Sequence, residues 1–164
     1  MLHRLLLPVA ALLLMAAART PDLPNPDRTP GAIDPAISQS NIGETICNRD
    51  WSTRYIRPPE DYTYKLKRNQ LDASDYRDRR ARDYEEDHLI SLELGGAPTN
   101  PRNLWPEHWR GACGAHTKDR VEDALHRAVC KGRITLRQAQ WQIATNWIDA
   151  YRRWVGPLAC GDYR

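Results

Sequence analysis

Glu85-Glu86-Asp87-His88-Leu89-Ile90-Ser91-Leu92-Glu93-Leu94-Gly95-Gly96, followed by Asn103-Leu104-Trp105-Pro106, is the stretch on which the reading of this chain turns. A short apolar run, a Gly-Gly turn and a second short apolar run give the pattern of a β-hairpin, whose strands are expected to be joined by a long, loosely ordered link. Downstream, past a loop through Gly111 and Gly114, Val121, Leu125 and Val129 recur at four-residue spacing, which predicts a helix over His116 to Cys130. A second helix follows. Thr135 and Gln138 have the spacing of a capping box, and Ala139, Ile143, Trp147 and Tyr151 line one side until Gly156-Pro157. Upstream, Asp61 to Leu71 reads as a short helix entered from Pro58-Pro59, and Asn41 to Cys47 as a helical turn docked by Ile42 and Ile46. The fold class expected is α+β, mainly helical with one small hairpin.

The outer parts of the chain read differently. Residues 1–18 carry Arg4, an apolar run and Ala16-Ala17-Ala18, the layout of a cleaved signal peptide. The run is shorter than the roughly 20 residues of a membrane span and contains Pro8, so no stable membrane insertion is expected after cleavage. Residues 19–36 are proline-rich without hydrophobic period and read as a disordered tether, leaving one domain over residues 37–164. The expected location is periplasmic or secreted.

Four cysteines agree with an oxidising compartment. An even number allows two disulfides in three connectivities, while a zinc-thiolate site would show close C-x2-C pairs, which are missing. Cys130 ends the predicted helix, so a bridge to Cys47 would clamp the amino-terminal segment to it. Cys113 lies in the loop before that helix and Cys160 in the tail, so their bridge would tie two loose pieces together. The pairing expected is Cys47 with Cys130 and Cys113 with Cys160.

Net charge is only +3, so composition alone points to no partner. Arg54, Arg57, Lys65, Lys67, Arg68, Arg77, Arg79, Arg80 and Arg82 all precede the acidic Glu85-Glu86-Asp87 cluster, an order that suits a polyanion held beside a metal, or simply a solvated face.

The Asp87-His88 pair carries the chemistry. A carboxylate can hold a divalent cation while the adjacent imidazole takes a proton from water. On a regular strand the two side chains face opposite ways, so both serve one site only where the backbone bulges or ends.

With Gly95-Gly96 and Asn103-Leu104-Trp105-Pro106 alongside, this run resembles the first two elements of HNH endonucleases, the ββα-metal fold. It is most similar to a group of small exported bacterial HNH-like proteins, over the stretch from Thr45-Ile46-Cys47 to Asn146-Trp147. The resemblance implies His88 as general base, Asp87 as metal ligand and Asn103 as the brace of the inter-strand loop. It also implies a second metal ligand on the following helix. The chain departs from the pattern there: the usual window falls at Arg110 to Cys113, and His116, thirteen residues after Asn103, is the candidate, with Lys118, Asp119 and Glu122 as fallbacks. Glu86 is placed to support the metal shell better than Glu93. His108 reads as an exposed loop residue and His126 as a solvent-facing one.

The function implied is a metal-dependent endonuclease of low sequence specificity, cutting DNA or RNA with one divalent ion (Mg, Mn, Zn or Ni). The competing expectation is a non-catalytic, disulfide-stabilised exported module that binds nucleic acid or an envelope partner.

Overall fold

The structure, a computed structural model, describes residues 23–73, 76 and 78–160; the expected signal peptide lies outside them. Helix α1 spans Glu60–Ala73, strand β1 Tyr84–His88, strand β2 Leu104–His108, helix α2 Ala115–Cys130 and helix α3 Leu136–Trp154. The strands pair antiparallel from Tyr84↔His108 to His88↔Leu104, so the described residues form an α+β fold with one two-stranded sheet. None of their helices is long and apolar enough to cross a membrane.

The sheet separates two surroundings. Residues directly opposite one another share a face, so Tyr84, Glu86 and His88 lie with Leu104, Pro106 and His108, and Glu85 and Asp87 with Trp105 and Glu107. Helix α1 covers the first face: Leu71, Ala81 and Tyr84 form a small buried cluster, Lys67 donates to the Tyr84 carbonyl, and the Tyr76 hydroxyl donates to that of Pro106. Helix α2 meets the second face through Lys118.

The larger core joins α2 to α3. Val121, Leu125 and Val129 pack with Leu136, Ala139, Ile143, Trp147 and Tyr151, all buried, as the four-residue spacings require. Thr135 and Gln138 complete the capping box at the start of α3. Asn146 leaves helical geometry, and its side chain accepts from the amides of Ile148 and Asp149, so the helix is re-capped where it kinks. Both expected cystines, Cys47–Cys130 and Cys113–Cys160, are present.

Two expectations about order need correcting. Residues 19–36 are expected as a disordered tether before a domain over 37–164, but the described part of that stretch, residues 23–36, packs on the domain, with Thr29 buried and Ile33 bridging to Gly96. Most of the bonds that hold them run between backbone groups. Gly31 donates to the Arg102 carbonyl, Asp34 to that of Gly95, and Ala97 back to Ala32. The link between β1 and β2 is not loose either, since Leu89, Ile90, Leu92, Leu94 and Ala97 are all buried within it.

Candidate active site

The link owes its shape to Asn103 and Gly96. The fully buried Asn103 side chain accepts from the Ile90 amide at 2.9 Å and donates to the carbonyls of Ile90 at 3.0 Å and Ala97 at 3.1 Å. It also accepts from the Ala32 amide at 3.4 Å, tying in the amino-terminal segment. Gly96 is where the two ends of the link close: a Cβ there would lie 1.7 Å from the Ile90 carbonyl oxygen and 2.8 Å from Asn103 Nδ2. Gly95 has φ 71°, in the left-handed region open to glycine.

His88 ends β1 at the mouth of this link. Its Nε2 lies 2.9 Å from the Pro98 carbonyl oxygen. A carbonyl oxygen can only accept, so the neutral ring carries its proton on Nε2 and leaves the Nδ1 lone pair free. Burial pushes the imidazole's pKa below its usual value, against the opposing pull of that carbonyl and of the Asp87 carboxylate.

Asp87 points the other way. The pairing is regular through Asp87↔Trp105 and His88↔Leu104, with no bulge to swing the two side chains together. The Asp87 carboxylate instead receives Lys118 Nζ at 2.6 Å. The same ammonium donates to the His88 carbonyl at 2.8 Å and to the Glu122 carboxylate one turn along α2. Burial alone would raise the Asp87 pKa; the Lys118 charge and hydrogen bond outweigh it and hold the carboxyl below its ordinary value. Lys118 is held above its own ordinary value, burial being overcome by Asp87, Glu122 and Glu107.

The surrounding carboxyls respond to burial. Glu107 is 1% exposed; desolvation drives its pKa well up, helped by the negative charge of Asp87 and by the hydrogen bond that its protonated form donates to that carboxylate. Glu86, on the α1 face, is buried and unpartnered, and desolvation lifts it to about 8. It therefore lies across the sheet's plane from Asp87 rather than beside it.

His116 does not join Asp87. Its side chain is 69% exposed, 3.8 Å from the Asp119 carboxylate and with its ring 5.8 Å from that of Trp109. The residue of α2 that reaches Asp87 is Lys118, which lies about 200° round the helix from His116 at about 3.6 residues per turn. The other histidines also differ from expectation. His108 closes β2 with its ring 4.1 Å from that of Tyr84, and His126 sits 2.7 Å from the Ile46 carbonyl oxygen.

The donor set does not fit a divalent ion at Asp87. Among the described residues the group of three potential ligands lying mutually within 4.8 Å is Cys47, His126 and Cys130, whose sulfurs form a disulfide. Sequence reasoning had no signal for a different feature, a cleft of about 500 Å³ at the Tyr84–His108 end of the hairpin. Arg82, Asp83, His108, Trp109, Arg110 and His116 line it: two arginines against one aspartate, with two imidazoles and one indole. The chain matches no family model, no curated protein and no solved structure.

Proposed function

We propose that this chain is a nucleic-acid phosphodiesterase of low sequence specificity, acting outside the cytosol with His88 as its general base. The observation that carries the reading is the hydrogen bond from His88 to the Pro98 carbonyl, in a link pinned by Asn103. It fixes the tautomer, and burial keeps the ring neutral, so Nδ1 is the acceptor available for a proton. In the proposed step a water or ribose hydroxyl loses its proton to Nδ1, its oxygen attacks phosphorus, and the bond from phosphorus to the leaving sugar oxygen breaks, that oxygen taking a proton from solvent water while the imidazolium returns its own to solvent.

The two arginines and the indole of the cleft support a nucleic-acid partner. Arg82 and Arg110 can each contact a phosphate, and Trp109 offers a face on which a base can stack. Four residue steps along β1 separate His88 from Tyr84, about 13 Å at roughly 3.3 Å per step, a span of some two nucleotides along an extended strand. Two disulfides suit an exported protein.

A second reading, a module that binds nucleic acid without cutting it, is favoured by Lys118, which neutralises the carboxylate a catalytic metal would need. Incubating the mature protein with labelled DNA and RNA separates the two. Cleavage that disappears in His88→Ala supports the phosphodiesterase; retention of intact, bound strand by the parent supports the binding module.

A further inference from the structure

We infer that the Lys118 ammonium is a built-in cation standing between Asp87 and α2 where the ββα-metal arrangement would seat its ion, so that this chain takes no divalent metal there. The inference concerns ion binding and stands whether or not the chain cleaves nucleic acid.

An ammonium has three N–H donors. Here they have three acceptors: Asp87 Oδ2, the His88 carbonyl and Glu122. The side chain is 0% exposed, so the group has neither a spare donor nor a route into solvent that leaves the packing in place. A divalent ion would have to displace it from both carboxylates or bind beside it against its repulsion, which is strong in a poorly hydrated interior.

The remaining potential ligands are occupied or turned away. The His88 ring is on the opposite face of β1 with Nε2 at Pro98, and the His116 side chain is solvent-facing beside Asp119. Glu107 is close to Asp87, but burial and the neighbouring negative charges favour its protonated form, which is a poor metal ligand. Glu122 is i+4 from Lys118 on one face of α2, so the lysine is gripped by the acid that a metal would otherwise recruit.

The test uses the mature protein with its disulfides intact. Mg, Mn and Zn chlorides are titrated separately by calorimetry into the parent and into Asp87→Asn, and melting curves are recorded in each salt and in excess chelator. The expected result is that parent and Asp87→Asn give the same metal isotherms, and that the parent's melting temperature is the same in chelator as in millimolar Mg or Mn. Metal binding by the parent that is lost in Asp87→Asn, with a melting temperature raised by metal, would overturn the inference. Lys118→Ala supplies the converse. Freed from the ammonium, Asp87 and Glu122 should acquire a metal-dependent rise in melting temperature of several degrees. A folded Lys118→Ala protein as indifferent to metal as the parent would show that ammonium and ion do not compete for one place.

Discussion

Glu86 illustrates how much of this hairpin's behaviour is set by single buried groups. It faces α1 rather than Asp87, has no hydrogen-bond partner, and is lifted to about 8 from an ordinary value of 4.5, chiefly by desolvation. The folded state therefore holds a proton there that the unfolded chain has released, and the stability this represents is present below pH 4.5 and lost as pH rises through about 8. Glu86→Gln, which resembles the protonated form, should match the parent near pH 4 and exceed it near pH 9, by on the order of 2–4 kcal/mol. Urea titrations at the two pH values check this. An equal difference at both would mean that folding does not raise the Glu86 pKa. Lys118 is the opposite case, a charge whose burial is offset by two carboxylates, and removal of one partner from such a set costs more than the set itself contributes.

At the level of elements, the link between β1 and β2 is the piece whose construction positions His88. Gly96→Ala would drive a Cβ into the Ile90 carbonyl and against Asn103, so the backbone must shift and the Asn103 hydrogen bonds be lost. The expected cost is about 3 kcal/mol or more in chemical denaturation. Gly43→Ala, where an added Cβ meets nothing, should lie within about 0.5 kcal/mol of the parent. Much of this level was legible in the sequence. Thr135 with Gln138 marked the start of α3, and the four-residue spacings in α2 and α3 marked the faces that became the core, because both signals are local. The cystines followed from chain order, since each bridge joins segments that helix α2 already brings near. Residues 23–36 were not legible, because they are held largely by backbone hydrogen bonds to Arg102, Gly95 and Ala97, which no side-chain pattern encodes. Lys118 stood only as a fallback behind His116: a lysine in the first turns of a helix ordinarily faces water, and only the rotation of α2 against β1 turns it onto Asp87 as an ion-pair partner. The regular register of β1 likewise placed Asp87 and His88 on opposite faces where the resemblance implied one site.

Across the whole molecule, the cystines fasten the pieces that flank the hairpin. Cys47–Cys130 ties the amino-terminal turns to the end of α2, and Cys113–Cys160 ties the loop before α2 to the tail after α3. Each is expected to contribute roughly 2–4 kcal/mol. The cleft at the far end of the hairpin then lies on a braced frame, with Arg82 before β1 and Arg110 after β2. If these arginines contact phosphates, Arg82→Ala and Arg110→Ala should each weaken binding of single-stranded DNA or RNA irrespective of sequence. Each should also lower the slope of log affinity against log salt by about one. Unchanged slopes would place the nucleic acid elsewhere on the surface. The most direct measurement of the central claim is the single-turnover cleavage rate of labelled DNA and RNA in excess chelator, for the parent and for His88→Ala at equal folded concentration. The parent should cleave at least one of the two without divalent metal, and His88→Ala should be slower by about 10²- to 10⁴-fold. Equal rates for the two proteins would contradict that claim.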